Sequence, residues 1–218
     1  MKGSNTHTPK SLWQNSNYNG LPVQTHKGPL NKDYLDTIKL VFDNAMNEYS
    51  KVFIFRFDLR YPKELKNLPS SIAISAFFES LRARIKYEEV SAAKIGMRRH
   101  RTKVRYVWVK EKATAMGCHY HVVLILNGNR YNGLGKLSSN CNNLAKRVIK
   151  SWASALKVDT KTGANGVYFP YYACYRVNSS QGYSQESILK AFRRASYLAK
   201  LETKEYGQGT RNIGYSLG

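Results

Sequence analysis

The sequence predicts an α+β domain built on one antiparallel sheet. Its apolar residues change from helical to strand spacing in the order β-α-β-β-α-β, between a first and a last helix. This order is the split βαβ, ferredoxin-like arrangement, with helices on one face of the sheet and the first and third strands at its centre. The third predicted strand, residues 118–126, is apolar on both faces from Tyr120 onward, as a central strand should be. In 218 residues, a hydrophobic share of 42% is ample for a core.

Residues 1–31 differ in character from the rest of the chain. They are rich in Asn, Gly, Pro, Ser and Thr, contain Lys but no acidic residue, and lack an apolar period. We therefore expect a flexible, basic N-terminal arm, pinned at most by Trp13 or Leu21, followed by a single domain over residues 32–218.

Helical spacing predicts four helices in that domain. The first begins at Lys32, and the second follows the Pro-Ser-Ser start signal of residues 69–71. The third covers residues 144–156 and the last covers residues 184–201. Their apolar stripes are, in chain order, Leu35, Ile38, Phe42, Ala45, Met46 and Tyr49; Ile74, Phe77, Phe78, Leu81 and Ile85; Leu144, Ala145, Val148, Trp152, Ala155 and Leu156; and Ile188, Ala191, Phe192, Ala195, Leu198 and Ala199.

Strand composition marks four further segments. Residues 52–58 are β-branched and aromatic and are closed by the Pro62 region. Residues 104–111 and 118–126 are joined by a short loop, which predicts antiparallel neighbours. Residues 167–170 form a short fourth strand.

The charge balance points to a polyanionic partner. Lys and Arg number 35 against 14 Asp and Glu, a formal net charge of +21 on a folded chain, which favours nucleic acid first and an anionic membrane surface second. The longest aliphatic run, residues 122–126, is too short to span a bilayer, so we expect no membrane segment. Residues 1–30 lack a secretory apolar region, and three scattered cysteines indicate free thiols in a reducing cytoplasm.

A basic loop and a group of tyrosines are candidate nucleic-acid contacts. Residues 94–105 are dense in Lys and Arg, which predicts phosphate contacts, although a solvated loop that only aids solubility is the alternative. The tyrosines could stack on unpaired bases, but packing within a strand is an equally good reading. The basic candidates are Arg98, Arg99, Arg101, Lys103 and Arg105, and the aromatic ones are Tyr168, Tyr171, Tyr172 and Tyr175.

Two histidines open the predicted central strand. His119 and His121 are two residues apart, so their imidazoles project from the same face of a strand. A surface histidine pair at a strand edge is the plain alternative. Against it, paired imidazoles at the start of a buried strand cost desolvation unless something binds them.

A third metal ligand is available from the preceding strand. Glu111 and His119 have position numbers of the same parity, so a register with an odd number of loop residues puts both on one face. Two imidazoles and a carboxylate suit a divalent ion acting as a Lewis acid. An exposed charge at the end of a strand is the alternative for Glu111.

The last predicted helix carries a basic face opposite its apolar stripe. Tyr197 and Lys200 are neighbours on that face, where adjacent cations favour a phenolate that can attack a phosphodiester. A surface tyrosine capping the edge of the core, amid an ordinary solvated face, is the alternative. The residues of this face are Lys190, Arg193, Arg194, Tyr197, Lys200 and Lys204, of which Arg193, Arg194 and Lys204 are further candidate DNA contacts.

Taken together, these motifs resemble the HUH (His-hydrophobic-His) endonuclease superfamily. The His-Tyr-His of residues 119–121, Glu111 eight residues ahead of it and the Tyr-Leu-Ala-Lys of residues 197–200 carry the resemblance. More narrowly, residues 31–218 are similar to the rolling-circle replication-initiation proteins of filamentous phages and their prophage relatives. Leu201 stands where a second tyrosine of the double-tyrosine initiators would lie, so the pattern has a single nucleophile.

The resemblance implies strand transfer through a covalent protein–DNA intermediate. A Mg²⁺ or Mn²⁺ ion on Glu111, His119 and His121 would polarise the scissile phosphate. Tyr197 would attack to leave a 5′-phosphotyrosine and a free 3′-hydroxyl, and Lys200 would hold the phosphate or the metal-bound group. Asp58 is a possible shell residue of the metal, or simply ends its strand.

The resemblance also implies partners and a setting. These are single-stranded or hairpin origin DNA, a host replication helicase or polymerase, a bacterial host cytoplasm and a monomer or weak dimer. A mobilisation relaxase or a transposase would use the same chemistry. A non-catalytic single-strand-binding or regulatory module on a ferredoxin-like fold is the alternative from another class.

Overall fold

The computed structural model describes residues 11–62, 65, 70–97, 99–111, 119–138, 142–201 and 211–217. The helices are α1 (Lys32–Glu48), α2 (Ser70–Lys94), α3 (Leu144–Leu156), α4 (Thr160–Asn165) and α5 (Glu186–Ser196). The strands are β1 (Leu12–Trp13), β2 (Asn17–Tyr18), β3 (Leu21–Pro22), β4 (Leu30–Asn31), β5 (Lys51–Arg60), β6 (Arg105–Glu111), β7 (His119–Asn127), β8 (Val167–Tyr168), β9 (Cys174–Asn178) and β10 (Ile213–Tyr215).

A six-stranded antiparallel sheet forms the centre of the molecule. Its strands follow the order β10-β6-β7-β5-β8. The sixth strand, β9, also pairs with β5, along residues 51–55, whereas β8 pairs with residues 58 and 59. β5 and β7 correspond to the first and third predicted strands, and they lie side by side in the middle of the sheet. The expectation of a mixed α+β chain with an antiparallel sheet is confirmed.

The side chains of each central strand alternate between two cores. In β5, Val52 and Ile54 pack into a cluster with α1 and α5, whereas Phe53, Phe55 and Phe57 pack into a cluster with α2 and α3. We refer to these as the α1/α5 face and the α2/α3 face of the sheet. Helices therefore cover both faces rather than one, because the first and last helices bury the face that the β-α-β-β-α-β core alone would leave open.

Residues 11–31 pack onto the domain instead of forming the flexible arm that their composition predicts. Tyr18, Leu21, Val23 and Leu30 are buried in the cluster on the α1/α5 face. The side chain of Gln24 donates a hydrogen bond of 2.8 Å to the backbone oxygen of Arg193 in α5. This segment therefore forms part of the core. Its apolar residues show no regular spacing because turns separate them, so the sequence pattern did not predict their burial. Residues 1–10 of the expected arm lie outside the described residues.

The C-terminal part of the chain differs from its prediction in three ways. The last helix ends at Ser196, and a 3₁₀ turn covers Tyr197–Ala199, so the helix predicted over residues 184–201 is too long. β9 was not predicted, and β10 adds a further strand on the outer edge of β6. In β10, Gly214 lies against the ring of Trp108, where a Cβ atom would come within 2.4 Å of the indole.

Within the described residues, every helix is too short or too polar to cross a bilayer.

We predict that Tyr18→Ala destabilises the fold by about 3 kcal/mol, because it removes a fully buried aromatic ring that packs on Phe192 and a hydroxyl that hydrogen-bonds to Asp36. Urea denaturation measures this loss. The matched control is Leu12→Ala in the same segment, where the side chain is exposed and the loss should stay below about 0.5 kcal/mol. Equal losses in the two variants would show that the segment is not part of the core.

Candidate active site

Strand register brings the candidate metal ligands together. Glu111 of β6 lies directly opposite His119 of β7, and His121 lies directly opposite Asp58 of β5. Directly opposed residues of antiparallel strands point to the same face, so all four side chains lie on the α1/α5 face, at one end of the sheet. The shared face of Glu111 and His119 is the one that their parity predicted.

The three candidate ligands converge on one point. The Nε2 atoms of His119 and His121 are 3.2 Å apart, and Glu111 Oε2 lies 3.5 Å from the first and 3.0 Å from the second. With metal–donor bonds of about 2.1 Å, donors are about 3.0 Å apart in an octahedral site and about 3.4 Å apart in a tetrahedral one. The observed spacings fall in this range, so Glu111, His119 and His121 fit a divalent ion.

Asp58 fixes the ring of His121. His121 Nδ1 and Asp58 Oδ1 are 2.6 Å apart, and because an ionised carboxylate only accepts, Nδ1 carries the hydrogen. In the neutral imidazole, Nε2 then carries no hydrogen and can bind a metal, which is the carboxylate–histidine pairing of many metal sites. Burial alone would raise the pKa of Asp58, but the hydrogen bond from His121 and the positive charge of Arg56 hold the pKa below its usual value.

Arg56 lies between this pair and the candidate nucleophile. Its Nη2 atom is 3.3 Å from Asp58 Oδ1 and 2.9 Å from His121 Nδ1. Because a guanidinium only donates and Nδ1 already bears a hydrogen, the carboxylate is the acceptor. The guanidinium also lies over the ring of Tyr197, 4.7 Å from its centroid. Arg56 was not among the predicted site residues, although a charge between two phenylalanines of a buried strand is the signal that marks it.

Tyr197 and Lys200 turn toward the metal ligands rather than outward on a basic helix face. The Tyr197 ring packs edge-on against the ring of His121, with centroids 5.4 Å apart. Lys200 is buried, and its Nζ atom lies 2.6 Å from the Tyr197 hydroxyl and 3.3 Å from Glu111 Oε2. The expectation of an outward stripe was wrong here because α5 ends at Ser196, and the 3₁₀ turn after it redirects the chain.

The environment of Lys200 maintains its positive charge. Burial disfavours the ammonium form, but the hydrogen bond with Tyr197 and the negative charge of Glu111 outweigh burial and raise the pKa of Lys200 above its usual value. Lys200 therefore presents an ammonium group to the phenol oxygen.

The basic loop lies away from this site, and four of its described cations are paired with carboxylates. Arg105 is buried and hydrogen-bonded to Glu48 of α1, and Lys103 lies 3.2 Å from the same carboxylate. Arg99 and Arg101 pair with Glu88 and Glu89 of α2, at 3.0 Å and 3.5 Å. Arg105 begins the strand that Glu111 ends, so about 20 Å of strand separates the loop from the candidate metal site.

The remaining predicted DNA contacts divide into four groups. Arg193 is exposed on α5, whereas Arg194 is half-buried and donates to the backbone oxygen of Tyr171. Tyr175 packs against the core on the α1/α5 face, where burial raises the pKa of its phenol. Arg98 and Lys204 lie outside the described residues. The other aromatic candidates, which are exposed, are Tyr168, Tyr171 and Tyr172.

Comparisons with known proteins place the chain in a family. The profile of the YagK/YfjJ C-terminal domain matches residues 13–216, which is nearly the whole chain. The chain belongs to the YagK/YfjJ C-terminal domain family. The uncharacterized protein YfjJ of Escherichia coli (strain K12) is 31% identical over 196 residues, spanning 85% of this chain and 94% of that protein. The uncharacterized protein YagK of the same organism is 29% identical over 192 residues, spanning 84% and 92%.

One solved structure is a more distant neighbour. It is the N-terminal nuclease domain of non-structural protein 1 of minute virus of mice, described with Zn²⁺ coordination in its active-site pocket. The TM-score is 0.33 and the identity is 13%, covering 68% of this chain and 80% of that one. At this level of likeness the match carries no argument about fold or function.

We predict that Asp58→Asn lowers the affinity for Mn²⁺ about 10- to 100-fold, because a neutral amide oxygen accepts a weaker hydrogen bond from Nδ1 of His121 than a carboxylate does and orients the ring less firmly. Isothermal titration of the purified chain with Mn²⁺ measures the change. Asp33→Asn, at an exposed carboxylate of α1, serves as the control and should bind as the wild type does. Unchanged affinity in Asp58→Asn would exclude the proposed role of the carboxylate.

Proposed function

We propose that this chain is a metal-dependent DNA-nicking endonuclease that uses Tyr197 as its nucleophile and starts rolling-circle replication of a phage or prophage-like element. The observation that carries the proposal is the position of Tyr197. Its ring lies against the ligand His121, and its oxygen is hydrogen-bonded to Lys200, which in turn contacts the ligand Glu111. A nucleophile, a buried cation and a candidate metal site thus share one end of the sheet.

Glu111, His119 and His121 would hold the divalent ion. Bound there, the ion supplies positive charge that polarises a phosphate oxygen and stabilises the charge that develops on it. Of the two ions implied by the motifs, Mn²⁺ suits the donors better than Mg²⁺, because two of the three donors are imidazole nitrogens.

Tyr197 would exchange one phosphoester bond for another. Its phenol oxygen forms a bond to phosphorus, the bond from phosphorus to the 3′-oxygen breaks, and the phenol proton passes in net to that 3′-oxygen. The products are a 5′-phosphotyrosine and a free 3′-hydroxyl, which can prime synthesis. Because no water or oxidant is consumed, the same bond can later be restored by the reverse step.

Lys200 and Arg56 prepare the phenol for this attack. The Lys200 ammonium stabilises negative charge as it forms on the Tyr197 oxygen, and it lies close enough to interact next with a phosphate bound there. Arg56, over the face of the same ring, limits its orientation. Both cations are held by carboxylates that belong to the site, so their positions do not depend on the substrate.

The sheet supports the same proposal. The order β6-β7-β5-β8, antiparallel throughout, is the order expected of a ferredoxin-like sheet, so it supports a proposal of that fold with β9 and β10 as additions. In this arrangement the histidines lie on a central strand, where neighbouring strands on both sides can complete the site.

We further propose that the substrate is single-stranded or hairpin origin DNA in a bacterial cytoplasm.

The decisive test is a covalent adduct. Single-stranded DNA prepared from the replicon that encodes the chain is labelled at its 3′ end and incubated with the protein and Mn²⁺. We expect a labelled protein band that survives denaturing electrophoresis, since the strand 3′ of the nick stays on the tyrosine. The same DNA labelled at its 5′ end should give no labelled band.

Tyr197→Phe removes only the attacking oxygen, so we expect at least about a 100-fold loss of adduct with little loss of DNA binding. Tyr87→Phe, at an exposed tyrosine of α2, is the matched control and should form adduct as the wild type does. An adduct that persists in Tyr197→Phe would assign the nucleophile elsewhere. DNA binding with no adduct in the wild type would favour a non-catalytic single-strand-binding module.

A further inference from the structure

A loop interrupts the edge of the sheet beside the candidate site. β8 pairs with β5 at Asp58 and Leu59, and β9 resumes the pairing at Phe55. Residues 169–172 leave the ladder between these two points and form a loop at the level of Arg56 and Asp58, after which the backbone oxygen of Ala173 accepts a hydrogen bond from the backbone amide of Arg56. Interruptions of this kind are common next to active sites, where they redirect side chains.

Tyr168 and Arg60 lie on the same face as the metal ligands. Tyr168 is directly opposite Asp58, and Arg60 is directly opposite His119, so register places both side chains on the α1/α5 face. Tyr168 is 53% exposed, and the Arg60 guanidinium lies 5.8 Å from the centroid of its ring. Two strand spacings, about 10 Å, separate the backbone of Tyr168 from that of His121.

The loop presents two further tyrosines to solvent. Tyr171 and Tyr172 are 82% and 84% exposed, and their rings contact each other edge to face at 4.9 Å. Tyr172 has a φ of 53°, a left-handed conformation that is unfavourable for an aromatic residue and that often accompanies function. Arg194 donates a hydrogen bond of 3.2 Å to the backbone oxygen of Tyr171, which ties the loop to the helix that leads into Tyr197.

We propose that Tyr168, Tyr171 and Tyr172, with Arg60, form a stacking platform for the unpaired bases of a single DNA strand that runs past the candidate active site. Its location beside the attacked phosphate rests on the proposed function. Phenol rings stack on any unpaired base, and the arginines and the net charge of +21 attract the phosphates between those bases. In a duplex the base faces are already covered, so the platform selects single strands.

The test measures binding without cleavage. The full chain carrying Tyr197→Phe is titrated against a fluorescein-labelled 20-nucleotide oligo(dT), an abasic oligonucleotide of equal length and a 20-base-pair duplex, and anisotropy is recorded. Tyr171→Ala with Tyr172→Ala should weaken oligo(dT) binding about 10- to 100-fold. Binding to the abasic strand and to the duplex should change less than about two-fold, since phosphate contacts remain.

Two control variants separate stacking from misfolding. Tyr171→Phe with Tyr172→Phe keeps the aromatic faces and should bind oligo(dT) as the parent does. Tyr87→Ala removes an exposed tyrosine of α2, away from the loop, and should also leave binding unchanged. If the alanine pair binds oligo(dT) within about two-fold of the parent, the loop only protects the sheet edge from pairing, and the platform is excluded.

The platform and the nickase can fail separately. A wild-type adduct together with unaltered oligo(dT) binding by the alanine pair would overturn the platform and leave Tyr197 as nucleophile. Weakened oligo(dT) binding by the alanine pair, with no adduct from the wild type, would support the platform and overturn the nickase.

Discussion

The candidate site depends above all on the register of three neighbouring strands. β7 places two imidazoles on one face, β6 brings Glu111 opposite His119, and β5 brings Asp58 opposite His121. A slip of one residue in either outer pairing would move a carboxylate to the α2/α3 face. The alternating apolar side chains on both faces resist such a slip, because each slip would also drive aromatic residues out of their core. The packing that stabilises the sheet therefore also fixes the ligand geometry.

The position of Tyr197 depends on where α5 ends. The backbone of Lys200 forms an isolated bridge with Leu30, and the backbone amide of Gln24 donates to the Ser196 hydroxyl at 2.9 Å. Both partners belong to the N-terminal segment, which packs on the α1/α5 face. A segment that composition alone marks as a free arm thus holds the candidate nucleophile and its cation against the sheet.

Local patterns predicted the elements that carry the site, and long-range pairing decided the rest. Strand periodicity and parity predicted that Glu111 and His119 could share a face, since both depend only on spacing along the chain, whereas the register that puts them opposite each other comes from strand pairing. The ion pairs of the basic loop were not predictable in this way, because Glu48, which pairs with Lys103 and Arg105, belongs to α1, far away in the sequence. The same holds for Lys200: helical spacing places it on a surface, but its buried position follows from a turn and from contacts with other elements.

The proposed nicking reaction requires that one divalent ion and the Tyr197 hydroxyl occupy the same end of the sheet. Anomalous diffraction from crystals grown with Mn²⁺ tests this requirement most directly. We expect one strong anomalous peak bounded by Glu111 Oε2 and the Nε2 atoms of His119 and His121, with the Tyr197 ring still packed against His121. A peak held by other residues, or a Tyr197 side chain turned away from these histidines, would contradict the account.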